Sequence, residues 1–107
     1  MLLEGGANVE IANAFRRTAL HHAAYYGYLN VCRLLLYRGA KVDPVDKRKE
    51  TPLYWAARSG HLSVVKLLVE RGADVRLKND NGQTASDVAR SWGRGAVAEW
   101  LDSVTSK

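Results

Sequence analysis

Sulfur chemistry has almost no foothold in this 107-residue chain: Cys32 is its one cysteine, which excludes an internal disulfide and fits a reducing compartment. Long apolar runs are missing as well. Each is a few residues long, far below the roughly 20 that a membrane-spanning helix needs, so no membrane partner is expected. The opening Met1-Leu-Leu-Glu-Gly-Gly has neither a basic cluster nor an apolar stretch, and so lacks the marks of a secretory signal. These features read as an intracellular protein, cytoplasmic or nuclear. There is no basic tail either. Sixteen Lys and Arg stand against eleven Asp and Glu, a formal +5, spread evenly along the chain. That surplus favours acidic partners without pointing to nucleic acid, which is disfavoured as a partner. At this length a second domain and a thick central core are both excluded, and an architecture of local contacts is favoured.

What the chain does have is a repeat. Thr18-Ala-Leu-His-His-Ala-Ala-Tyr-Tyr-Gly27 returns as Thr51-Pro-Leu-Tyr-Trp-Ala-Ala-Arg-Ser-Gly60 and, degraded, as Thr84-Ala-Ser-Asp-Val-Ala-Arg-Ser-Trp-Gly93. The offset is 33 residues both times. Gly6-Ala7, Gly39-Ala40 and Gly72-Ala73 share a column, as do Val9, Val42 and Val75. Between Thr18–Gly39 and Thr51–Gly72, 11 of 22 positions are identical, too many for unrelated segments.

Each unit reads as a helix pair. The threonines offer a hydroxyl to the open N–H groups of a helix start, and Pro52 sits where a missing N–H costs nothing. Leu53, Ala56 and Ala57 gather on one side of that helix, whereas Trp55 and Arg58 point the other way. Gly27 and Gly60 end the first helix in left-handed geometry. Leu29, Val31, Leu34 and Leu35 form the apolar face of a second helix, matched by Leu62, Val64, Leu67 and Leu68. Gly39 and Gly72 close it. The polar segments between units, Asn79-Asp-Asn-Gly82 above all, read as extended hairpin fingers. No pair can bury its apolar face alone, so the units must stack and share a core.

The period, with Thr-Pro-Leu-Tyr-x-Ala-Ala-x-x-Gly-His-Leu-x-Val-Val-x-Leu-Leu-x-x-Gly-Ala-Asp-Val over residues 51–75, resembles the ankyrin repeat. The resemblance implies an all-α repeat protein: an ankyrin-type α-solenoid of helix-turn-helix units with short β-hairpin fingers. One domain spans 1–107, with a helix-end stub at 1–6 and repeats at about 7–39, 40–72 and 73–107. Thr18 and His21 match the family's Thr-x-x-His network, in which the histidine bonds to the neighbouring repeat, while Tyr54 and Asp87 depart from it. His61 follows Gly60 as in many ankyrin units. The glycine usual at the finger turn is Gly82 in the third unit, but Arg16 and Lys49 replace it earlier, so irregular turns are expected there. Ser86, Asp87 and Arg90 resemble the solvated outer face of a terminal repeat, with Val97, Trp100 and Leu101 keeping the inner side. The array starts mid-repeat. Either it was excised from a longer array, or its open N-terminal end is covered by a partner or by self-association with a second copy.

Reactive constellations are not visible in the sequence. Adjacent His21 and His22 diverge by about 100° on a helix and cannot chelate one ion together. Cys32, in a column with Val65 and Ala98, reads as a small core residue. Each Gly-Ala pair serves as a helix stop, so there is no phosphate-cradling loop. The chain is therefore read as no enzyme, with no cofactor and no metal.

In an ankyrin solenoid the outer side of the first helix lines the concave groove, so the resemblance places His22, Tyr25, Tyr26, Trp55, Arg58 and Ser59 there. Tyr, Trp and Arg are the usual interface anchors, although Trp55 and Tyr26 also suit gap-filling between helices. Arg16, Arg17, Lys47, Arg48 and Lys49 make the first two fingers basic. The function expected is non-catalytic recognition of a protein or peptide segment of acidic character through groove and fingers. The alternative is a phosphate-bearing ligand, nucleotide or RNA, in the same groove.

Overall fold

The structure is a computed structural model that describes residues 14–105. Among the described residues six helices follow one another: α1 (Ala19–Tyr26), α2 (Leu29–Tyr37), α3 (Pro52–Ser59), α4 (Leu62–Glu70), α5 (Ala85–Ser91) and α6 (Gly95–Thr105). Thr18, Thr51 and Thr84 cap α1, α3 and α5 as their spacing requires, each accepting from the N–H three residues on. His21 and Asp87 return the bond to their capping threonine, closing reciprocal boxes that satisfy two orphan donors at once.

The helices lie in two layers. α1, α3 and α5 pack side by side, and α2, α4 and α6 form the layer behind, each against its own pair-mate. Leu20 and Leu53, with the small Ala23, Ala24, Ala56, Ala57 and Ala89, are buried between the layers, where alanine lets helix backbones approach closely. Cys32, Val65 and Ala98 are buried on the column the repeat assigns them, as are Leu35, Leu68 and Leu101. Burial pushes the Cys32 thiol up to about 11, so it is an inert packing group.

Two expectations for the fingers need correcting. Among the described residues they form no β-hairpin. The second and third are tight turns, each closed by two backbone bonds: Asp46 N–H to the Glu50 carbonyl (3.1 Å) with Lys49 N–H to the Asp46 carbonyl (3.0 Å), and Asn79 N–H to the Gln83 carbonyl (3.0 Å) with Gly82 N–H to the Asn79 carbonyl (2.9 Å). Other turn donors are taken by side chains: Asp46 Oδ1 accepts from the N–H groups of Arg48 and Glu50, and Asn79 Oδ1 from those of Asn81 and Gln83. Donors spent this way cannot build a ladder. Successive fingers are joined instead by bonds from Lys47 N–H to the Phe15 carbonyl and from Asp80 N–H to the Arg48 carbonyl. Nor are the glycine-less turns irregular. Arg16 (φ 62°) and Lys49 (φ 61°) adopt the left-handed conformation of Gly82 (φ 74°) and bear its strain.

The third repeat needs a further correction. Ser86 does not belong to a solvated face: it is buried, and its hydroxyl donates to Asp102 Oδ1 (2.5 Å). Asp102 also pairs with Arg90, so polar groups of α5 and α6 satisfy one another. Leu34 departs in the other direction and is exposed, unlike its buried repeat-mate Leu67. The stub at 1–6 and the columns of Gly6, Ala7 and Val9 lie outside the described residues, as does the end proposed for self-association.

Candidate functional site

One turn apart on α1, His22, Tyr25 and Tyr26 share a face; Trp55 and Arg58 occupy the matching face of α3. With Arg17 from the first finger and the edge of His21, they line a groove of about 310 Å³. Tyr25 and Tyr26 are exposed, their rings edge-to-face at 4.9 Å, and Tyr26 stacks on Tyr28 at 5.6 Å.

Trp55 departs from the outward-facing reading. Only 8% of it is exposed, because tertiary neighbours cover the face that the helical wheel turns away from the core. The Arg17 and Arg58 guanidinium carbons lie 4.8 and 4.9 Å from the centre of its ring system, with Tyr25 and Tyr54 edge-on at 5.5 and 5.6 Å. Its indole N–H donates to Asp46 Oδ2 (3.3 Å), so Trp55 is the floor of the groove and not a free anchor. Arg58 reaches on to Trp92, whose ring centre is 4.1 Å away.

Asp46 organises this floor. Its buried side chain takes the Arg17 Nε–H (3.3 Å) and the Trp55 indole on Oδ2 while holding the finger turn with Oδ1. Burial alone would raise its pKa, but the Glu50 and Arg48 amides, Trp55 and Arg17 outweigh it and hold the carboxyl below the ordinary range. Glu50 moves the opposite way, pushed up by burial and by the Asp46 charge.

A family model of ankyrin repeats, in three copies, matches residues 1–79 and 43–104. The chain belongs to the ankyrin-repeat family. No curated protein matches it significantly. Ankyrin repeats are generally protein-interaction modules, and the family is typically non-catalytic. No described helix is long and apolar enough to cross a membrane.

The ankyrin Thr-x-x-His network is present in the first complete repeat. His21 Nδ1 accepts from Thr18 N–H (3.0 Å), which leaves Nε2 to donate across the repeat boundary to the Glu50 carbonyl (2.8 Å). Burial first, against the opposing bond to Glu50 and the Asp46 charge, lowers the imidazole's proton affinity and keeps it in this neutral role. His61 makes a second inter-repeat bond, its Nε2–H donating to the Tyr25 carbonyl (3.1 Å).

The remaining ankyrin site candidates are scattered. Lys47 and Arg48 line a smaller recess of about 230 Å³ with Phe15, Asp46 and Arg17, and Arg17 joins it to the main groove. Arg16 and Lys49 project from the finger turns into solvent, and Ser59 is half-buried on the last turn of α3 without lining the groove. Sequence reasoning missed Asp46 and Trp92. Each left a trace: Asp46 stands 33 residues before Asn79, which builds the same turn, and Trp92 shares the column of Tyr26 and Ser59.

Proposed function

We propose that this ankyrin domain is a non-catalytic recognition module that holds an acidic segment of a partner protein between α1 and α3. The observation that carries the reading is the groove lining: exposed Tyr25 and Tyr26 beside Arg17 and Arg58 over a pre-packed Trp55 floor. Tyr supplies contact area at low entropic cost, and Arg supplies directed hydrogen bonds. Lys47 and Arg48 carry positive charge into the adjoining recess, and Arg16 and Lys49 add it at the finger tips, so an acidic segment is steered to this edge. A nucleotide base would want the Trp55 ring, which Arg17, Arg58 and Tyr25 already occupy.

Affinity capture with the Tyr25→Ala/Tyr26→Ala double variant tests the proposal, with Tyr37→Ala, exposed on α2 outside the groove, as control. Captured proteins should be lost with the double variant and kept with the control. Capture indifferent to both removes the groove from the function. Steep loss with salt and competition by polyphosphate would favour a phosphate-bearing ligand instead.

A further inference from the structure

We propose that Arg58 is the anion receptor of the groove and that its ligand is a side-chain carboxylate, an Asp or Glu of the partner segment laid edge-on against the guanidinium. The inference rests on the groove being the recognition surface and narrows it to one residue and one chemical group.

Arg58 is unspent. Among the described residues its guanidinium donates no hydrogen bond and meets no carboxylate; the bond at this residue uses its backbone carbonyl, which accepts from Arg94 Nε. Arg17, the other arginine of the groove, is already committed to Asp46 at 3.3 Å. An arginine fork without an acceptor is ordinary on an open surface, where water serves it. Here the residue is half-buried and two indoles flank its guanidinium, Trp55 at 4.9 Å and Trp92 at 4.1 Å.

That setting prepares the fork. Flanking rings restrict its rotation, so less rotamer freedom is lost when a ligand docks. They also displace water from the guanidinium, which strengthens the N–H groups left for an incoming oxyanion. Trp55 and Arg58 come from α3 and Trp92 caps the end of α5, so the geometry exists only when the second and third repeats are stacked.

Charge selects among oxyanions. With Arg17 offset by Asp46, Arg58 is the groove arginine left without a carboxylate. One such charge matches the single charge of a carboxylate better than the nearly double charge of a phosphoryl group.

The test titrates the full 107-residue chain, followed by NMR at the Arg58 Hε and Trp92 indole signals, with three blocked peptides that differ only in a central Glu, Gln or phosphoserine. The Glu peptide should saturate both signals and bind about tenfold tighter than the Gln peptide, as a charge-assisted bidentate contact requires. Arg58→Lys keeps the charge and loses the planar fork, and should cost about tenfold. Trp92→Ala removes a half-exposed ring and leaves the charge, and should cost about threefold. Spectral dispersion verifies that each variant is folded.

Equal affinity for Glu and Gln, absence of binding by all three peptides, or an Arg58→Lys variant that binds as well as the parent each overturns the inference. Tighter binding of phosphoserine than of Glu overturns the carboxylate in favour of a phosphorylated partner. If partner capture is lost in Tyr25→Ala/Tyr26→Ala but survives Arg58→Lys, the groove reading stands and the role given to Arg58 falls. If capture survives both, both fall.

Discussion

Asp46 determines more of the groove than any residue that lines it. One buried carboxyl holds the second finger turn through two amides, fixes the Trp55 indole and anchors Arg17. Asp46→Ala leaves these donors unmatched and should destabilise by about 3 kcal/mol in urea unfolding, with a shift in Trp55 fluorescence. Asp46→Asn should cost less, about 2 kcal/mol, because its amide oxygen can build the same turn as at Asn79 while the NH2 that replaces Oδ2 cannot accept from the Trp55 indole or from Arg17. Lys49 makes the opposite case. Its φ of 61° carries a side chain through a conformation that costs an L-residue about 1 kcal/mol, so Lys49→Gly should be neutral to about 1 kcal/mol stabilising, less the extra freedom glycine gains when unfolded. A fall in the unfolding midpoint would show that the lysine side chain makes a contact worth more than the strain.

At the scale of elements, the joints between repeats lie at the ends of the first helices. Gly27 and Gly60 finish α1 and α3 at φ 75° and 81°, and each accepts a side chain from the following repeat against its bare Cα. His61 lies over Gly27 and bonds to the Tyr25 carbonyl; Arg94 lies over Gly60 and bonds to the Arg58 carbonyl. The two bonds therefore pin the helix turns that carry groove residues. A Cβ at Gly27 would meet the His61 ring at 2.6 Å, whereas at Gly60 it would meet the flexible Arg94 side chain at 2.8 Å. Both alanine variants incur left-handed strain of about 1 kcal/mol, but only Gly27→Ala also displaces a ring held by a hydrogen bond. Urea midpoints should rank Gly27→Ala below Gly60→Ala, and only Gly27→Ala should shift the Tyr25 ring resonances strongly. Equal midpoints would mean that His61 moves aside freely.

Across the whole molecule, burial is uneven along the stack. α2 buries Cys32 and Leu35 alone, whereas α4 buries Val64, Val65, Leu67 and Leu68. In a solenoid each repeat is stabilised by its own pair and its neighbours, so a helix with less buried apolar surface opens first. Amides from 18 to 37 should exchange faster than those from 51 to 70, although half of the residues in these units coincide. Equal protection in a chain shown to be monomeric would refute this gradient. Equal protection in a dimer would place a second copy over Leu34 and its neighbours.

The helices, their threonine caps, their glycine ends and the buried columns of Cys32 and Leu35 were legible in the sequence because each depends on neighbours within one turn or on a strict 33-residue period. The fingers were legible as turns but not in their conformation, since the choice between a ladder and a side-chain-closed turn depends on which acceptor reaches the amides first. Trp55 shows where periodicity stops helping. A helical wheel reports direction from the helix axis, and it knows nothing of Asp46 and Arg17 closing over that direction from the finger edge. Arg58 and Trp92 lie 34 positions apart, and Ser86 and Asp102 are on different helices. Local composition and period determined the scaffold, because helix formation and capping are short-range. Only the stacking of repeats decided which polar and aromatic side chains meet, because those energies depend on distances that exist only after the chain has folded.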